Sequence, residues 1–226
     1  MVGTMAGFGW LGKMARGALA LVVPPTCLAC KGVMGAEEAV GFCPECYARL
    51  PWWDKTRVIP PMNPPQVARF AAPLLYEGVA REVLHDFKFH GHRYMARPLA
   101  KLLVPLVEDR EALLVPVPMH PSRLRQRGYN QVAFLVREIG RLTGNPVRVD
   151  GLKRLTRSDG QALKTRAQRL RLAGSDFVAH PAVAGRRVIL VDDILTTGAT
   201  ARACALALKR GGALSVEVVT VAYTPG

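Results

Sequence analysis

Four short apolar runs punctuate the chain, at Val67–Tyr76, Leu113–Val117, Val188–Val191 and Ser215–Tyr223. Each is rich in β-branched and aliphatic residues and bounded by turn formers. That pattern suits strands buried on both faces, as in a parallel sheet covered by helices. Pro73 places the first run at a sheet edge, because proline cannot donate to a ladder. Between the runs the apolar spacing becomes helical: Val79, Val83, Leu84 and Phe87 within 79–89, then Leu99, Leu102, Leu103 and Leu106 within 94–107. Further helices are expected over Gln131–Thr143 and from the loop after Val191 to Arg210, and Pro146–Leu155 leads toward another strand. Strands alternating with helices predict an α/β fold with a central, mostly parallel sheet over residues 67–226.

The first 66 residues obey a different logic. Residues 1–23 carry Trp10, Met14 and Leu21 at spacings that suit a short amphipathic helix, docked on the protein or lying on a membrane. Lys13 and Arg16 interrupt the apolar stretch, and the uncharged run from Ala18 to Val23 is too short for a signal-peptide core or a membrane span. Residues 24–50 contain Cys27, Cys30, Cys43 and Cys46, a C-x2-C-x12-C-x2-C pattern. Two paired-cysteine turns can supply four thiolates to one zinc ion. Without a secretion signal the chain is expected in the cytoplasm, where two disulfides would not persist. Residues 51–66 hold five prolines with Trp52 and Trp53, the signature of an extended linker. The tryptophans pack against the cysteine module or stack bases.

Charge sharpens the picture. The net charge is +14, and His120–Arg171 contributes +10 of it, from 13 cationic and three acidic residues. Concentration of one sign favours a polyanion such as nucleotide or nucleic acid. Within this stretch Arg123, Arg125 and Arg127 offer guanidinium forks to phosphate oxygens, and Lys88 stands at a helix end beside Gly91. His90 and His92, two residues apart, do not share a helix face and predict no metal site. Cys204 falls inside a helix as a small buried residue.

The most specific chemistry lies in Val188–Gly212. A buried strand is followed by Asp192 and Asp193, by the loop Thr196, Thr197, Gly198, Ala199 and Thr200, and by a helix. Ligands of parallel sheets bind at the carboxyl ends of strands. Gly198 allows close backbone approach, and free N–H groups at a helix start suit a phosphate. Two carboxylates beside that cradle suit sugar hydroxyls or a metal-bound polyanion. A sugar carrying both phosphate and free hydroxyls satisfies every part.

Val188–Thr200 resembles the phosphoribosyl pyrophosphate (PRPP) signature of type I phosphoribosyltransferases at every fixed position. The resemblance implies that Asp192 and Asp193 hold the ribose hydroxyls and that Thr196–Thr200 hold the 5′-phosphate. By position in the fold order it also implies that the loop from Met119 and His120 to Arg123, with Arg127 and Lys88, meets the pyrophosphate. The cysteine pairs, FKFHG (87–91), VPVPMHPSRLRQRGYNQ (115–131) and RLTRSDGQALKTRAQR (154–169) occur in one order with that signature. Together they resemble the ComF family of competence-associated proteins. This implies a type I phosphoribosyltransferase-like domain behind a zinc-ribbon-like module of four cysteines, with Mg²⁺ accompanying PRPP. It also implies a role beside the DNA-uptake machinery in handling single-stranded DNA, with Arg125, Arg157, Gln161, Arg166 and Arg169 on a flexible loop or nucleic-acid face. Two classes of function stand side by side: an enzyme transferring phosphoribose to an acceptor, and a non-catalytic module that binds single-stranded DNA or senses PRPP.

Overall fold

The computed structural model describes residues 25–35, 41–53, 66–89, 92–155 and 176–225. In chain order these form α1 (Pro44–Ala48), β1 (Arg69–Ala71), β2 (Leu74–Leu75), α2 (Gly78–Phe89), α3 (Ala96–Leu103), β3 (Leu113–Pro116), α4 (Pro121–Arg127), α5 (Gln131–Thr143), β4 (Leu152–Arg154), β5 (Phe177–Ala179), β6 (Arg187–Leu195), α6 (Ala199–Arg210) and β7 (Ser215–Tyr223). The amphipathic segment expected over 1–23 lies outside the described residues, as do Arg157, Gln161, Arg166 and Arg169. Among the described residues no helix is long and apolar enough to cross a membrane.

The central sheet runs β1-β7-β6-β3, entirely parallel, with β2 also on β7. β6 lies in the middle, and its side chains alternate as a strand requires. Val188 and Leu190 enter one apolar cluster with Cys204 and Leu208 of α6 and Phe177 of β5. Ile189 and Val191 enter the other, with Leu84 and Phe87 of α2, Leu99 and Leu103 of α3, and Leu135 and Ile139 of α5. The fold is therefore the expected α/β sandwich of helices around a parallel sheet.

Proline chemistry reshapes two expected elements. The run 67–76 is not one strand, since Ala72 and Pro73 separate β1 from β2 at the sheet edge. The helix expected over 94–107 is a 3-10 turn at Arg93–Met95, then α3, then a second 3-10 turn at Val104–Leu106. Pro105 cannot donate the next α-helical hydrogen bond, so the last turn tightens. The strand expected after Pro146 forms as β4, but it pairs antiparallel with β5 in a separate two-stranded sheet that flanks residues 156–175.

The cysteine module is not a separate bead. Leu28, Met34, Phe42 and Leu50 are buried in the same cluster as α2 and α3, each contributing about 1.5–3 kcal/mol of burial. Gly41 packs so closely on Pro98 that an added Cβ would lie 2.4 Å from the proline Cβ. Lys31 Nζ donates to Asp86 on α2 at 2.8 Å. The start of the expected linker is also tied down: Leu75 donates to Pro51 O and Trp53 to Pro73 O. Trp52 meets Tyr47 of the module edge-on at 5.0 Å and is 42% exposed, whereas Trp53 packs on Tyr223 of β7 at 5.2 Å.

Candidate functional site

Strand β6 continues past the apolar run that announced it. Its ladder with β7 extends to Leu195 opposite Tyr223, so Asp192 and Asp193 are strand residues rather than loop residues. Successive side chains on a strand leave on opposite faces, and the two carboxylates accordingly meet different surroundings.

Asp193, 7% exposed at its side chain, is held from two directions. Lys88 Nζ, from the last turn of α2, stands 3.2 Å from Oδ1. Gln131 Nε2, from the first turn of α5, donates to Oδ2 at 2.8 Å. Asp192 accepts the backbone N–H of Asp193 at 2.8 Å. Its carboxyl is pushed up to about 8, by burial first and by the adjacent Asp193 carboxylate second, against the Asp193 N–H and the Lys88 ammonium, which hold it down.

After Leu195 the chain turns through Thr196 and Thr197 to Gly198, which caps α6 in the left-handed region at φ 71°. A side chain there would be strained. Ala199 N–H reaches Thr197 Oγ1 at 3.4 Å, and Arg202 clamps the turn from below by donating to Thr197 O at 2.7 Å. Thr196, Thr197, Ala199 and Thr200 are exposed at the start of this helix, where N–H groups and the positive dipole end favour an anion.

The opposite wall comes from the segment after β3. The loop expected over Met119–Arg123 is short, because the helix α4 starts at Pro121, capped by His120, whose Nδ1 accepts from Ser122 N at 3.2 Å. On this helix Arg123 and Arg127, one turn apart, face the cleft while Arg125 does not. Arg127 also lies over the Phe89 ring, 4.5 Å from its centroid.

One cleft of about 410 Å³ collects these groups: Lys88, Met119, His120, Arg123, Arg127, Asp192, Asp193, Thr196 and Thr200 all line it. Residues drawn from three stretches of sequence are thereby brought together. Among the wall residues that the sequence did not assign to the site are Tyr76, Gln131 and Arg154, the last stacked 5.3 Å over Phe177. Arg154 had a signal in the basic segment. Gln131 had only the asparagine before it, which caps α5 by accepting from Val132 N–H.

The four cysteine sulfurs lie within 4.8 Å of one another, with Cys30 and Cys43 at 3.9 Å. A tetrahedral ion with metal–sulfur bonds of about 2.3 Å needs sulfurs about 3.8 Å apart, so the cluster can hold a metal. Burial alone would raise the Cys27 thiol, but backbone N–H donors led by Cys43 bring it down to about 6; burial and neighbouring thiols push Cys46 up to about 12. Cys204, buried inside α6, is pushed up by its burial and takes no part in this cluster.

The phosphoribosyl transferase domain family matches residues 127–226. Competence protein F of Haemophilus influenzae is 29% identical over 187 residues, covering 78% of this chain and 76% of that protein. Competence protein ComFC of Bacillus subtilis is 29% identical, covering 65% of this chain and 60% of its own length. The DNA utilization protein YhgH of Escherichia coli is 27% identical across 95% of this chain and 96% of its own. Among solved structures, a glutamine phosphoribosylpyrophosphate amidotransferase from B. subtilis, complexed with ADP and GMP, aligns over 60% of this chain and 30% of that one. Its identity is 19% and its TM-score 0.44. The likeness to competence proteins, expected from the order of the motifs, is thus matched by relatives that carry those names.

Proposed function

We propose that this chain, a ComF-type protein carrying a phosphoribosyl transferase domain, binds PRPP with Mg²⁺ in its basic cleft and serves DNA uptake from the cytoplasm. The observation that carries this reading is the convergence of an acidic pair, a helix-start phosphate cradle and two arginines on one cleft. Asp192 and Asp193 accept hydrogen bonds from the ribose hydroxyls. Thr196, Thr197, Gly198, Ala199 and Thr200 hold the 5′-phosphate through hydroxyls and N–H groups. Arg123 and Arg127, with the backbone at Met119 and His120, face the pyrophosphate. Mg²⁺ accompanying PRPP would supply positive charge against its phosphates, beside that of Arg123 and Arg127. If the bound sugar reacts, an acceptor attacks C1′ as pyrophosphate leaves, and the acidic edge at Asp192 and Asp193 faces the ribosyl centre as it becomes cationic. The Cys27, Cys30, Cys43 and Cys46 cluster holds structural zinc.

The test is calorimetry of Mg²⁺-PRPP binding to the protein and to Asp192→Asn and Asp193→Asn. Loss of at least tenfold in affinity in both variants is expected; unchanged binding refutes the assignment.

A second reading, a surface for single-stranded DNA, is favoured by a separate observation. Phe89 and Tyr94 are 57% and 58% exposed, and Phe89 lies under Arg127 of the cleft. Arginines interleave with the aromatics here, Arg127 over Phe89 and Arg93 over Tyr129 and Phe134 at 5.4 and 4.9 Å. Base stacking on aromatics combined with cationic guanidinium groups is the chemistry of single-strand binding. For about five phosphate contacts, log affinity should fall with log salt at a slope of about −3.5. A flat salt response removes the DNA reading and leaves the PRPP reading standing.

A further inference from the structure

Gln131 occupies the first position of α5 and is only 4% exposed, yet it lines the cleft. The direction of its amide is fixed by its partner. Asp193 Oδ2 can only accept, so the group 2.8 Å from it is the NH₂. The carbonyl oxygen is therefore the other end of the amide, and it has no hydrogen-bond partner among the described residues. Buried acceptors are almost always paired; this oxygen is buried at the wall of the cleft, in a residue that lines it, and a small shift of the side chain on ligand binding would bring it to a ligand donor.

The chemistry of that donor can be narrowed. Phosphate and pyrophosphate oxygens at neutral pH accept and do not donate, so they are repelled by a carbonyl oxygen. A metal cation is disfavoured by the Lys88 ammonium, which already stands against the same Asp193 carboxylate at 3.2 Å. A sugar hydroxyl donates, is uncharged and fits beside a carboxylate that is accepting from its neighbours.

We propose that Gln131 is a specificity-determining residue of the cleft, its carbonyl oxygen accepting a hydrogen bond from one ribose hydroxyl while its NH₂ group holds Asp193 in place. The assignment rests on the reading of the cleft as a PRPP site. It makes Gln131 and Asp193 a two-residue reader of the sugar: removing the hydroxyl leaves a buried carbonyl open in the complex as well as in the free protein. Lys88 shares the task of orienting Asp193 but carries no acceptor.

The experiment titrates the full chain and its variants with ribose 5-phosphate and with its 2-deoxy and 3-deoxy analogues, by calorimetry or by competition against Mg²⁺-PRPP. The protein should prefer ribose 5-phosphate to one of the two analogues by roughly tenfold, the worth of a lost hydrogen bond. Gln131→Met, similar in length with neither donor nor acceptor, should bring that preference close to one, with most of the loss falling on ribose 5-phosphate rather than on that analogue. Lys88→Met, which loosens Asp193 but keeps the Gln131 carbonyl, should retain most of the preference. A Gln131→Met protein that still discriminates overturns the proposal. So does equal loss in Lys88→Met, which would assign the preference to Asp193 alone. Should Gln131→Met fail to fold, the side-chain amide resonances of Gln131 in the unaltered protein supply the answer. They should move with ribose 5-phosphate and much less with the discriminated analogue, and an equal response to both overturns the proposal. If the unaltered protein binds Mg²⁺-PRPP without discriminating the sugars, only this inference falls. If it binds neither PRPP nor the sugar phosphates, the reading of the cleft falls with it.

Discussion

Replacing Lys88 with methionine isolates the electrostatics that hold the site together before any ligand arrives. The ammonium lies 3.2 Å from Asp193 Oδ1, and the two side chains are 22% and 7% exposed. Breaking a fully buried ion pair from one side costs about 3–5 kcal/mol, because the remaining charge keeps its desolvation penalty without its partner. Here the loss is smaller for two reasons: Lys88 is partly solvated, and Gln131 Nε2 still donates to Asp193 Oδ2. An effect of about 2 kcal/mol is expected, and for a chain of this size that lowers Tm by about 4–8 °C. Urea titrations of the protein, Lys88→Met, Asp193→Asn and the double variant close a double-mutant cycle. Once Asp193 is an uncharged asparagine, removing Lys88 should cost far less, giving a coupling of about 1–2 kcal/mol. Additive losses, or a Lys88→Met midpoint equal to that of the unaltered protein, would refute the pairing as a contributor to stability. The coupling should also survive about 1 M salt better than a surface pair would, since burial limits screening.

Other outcomes rest on the same geometry. Asp192 is held up near pH 8 against 3.8 for an ordinary aspartate. The native state therefore keeps a proton that the unfolded chain releases, and the stability this gives is full below about pH 4 and lost as pH rises through about 8. Urea midpoints from about pH 5 to about pH 9 should show Asp192→Asn gaining on the unaltered protein as pH rises, and a constant difference would exclude the shift. Metal analysis should find one ion per chain, abolished by Cys30→Ala. Chelation should lower Tm for the whole protein, because Leu28, Met34 and Phe42 share a cluster with α3. Gly41→Ala combines a left-handed φ of 84° with a Cβ 2.4 Å from Pro98, so a loss of about 2–4 kcal/mol is expected by thermal or urea unfolding. A loss below about 0.5 kcal/mol would mean that the module does not dock on α3.

Much of the architecture was legible in the chain itself. The apolar runs at 113–117, 188–191 and 215–223 are strands because only a doubly covered sheet buries such segments on both faces, and β3, β6 and β7 lie there. The helical spacing of Val83, Leu84 and Phe87 turned inward as expected. The paired cysteines could be read as one cluster because their spacing alone brings two turns to a common point. The Asp-Asp pair and the threonine-rich turn were legible for the same reason: their chemistry is local, written in adjacent residues.

Other features had no local signal. Helix α4 was hidden by a segment with no buried residues, whose form depends on the His120 cap and the Gly128 stop. The breaks at Pro73 and Pro105 needed the neighbouring sheet edge and the end of α3 to decide how each proline would be accommodated. The docking of the cysteine module came from Gly41 meeting Pro98, residues 57 positions apart in the chain.

By itself, then, the sequence determined the fold class, the metal-binding capacity of its cysteines and the strand-turn-helix with its acidic pair and threonine-rich turn, because each rests on short-range periodicity or adjacent chemistry. Only the tertiary structure decided that Lys88 and Gln131 flank Asp193, that Arg123 and Arg127 rather than Arg125 face the cleft, and that the Gln131 carbonyl is buried without a partner. Those contacts join residues tens of positions apart. They are set by how α2, α4 and α5 pack against the end of β6, which no local pattern encodes.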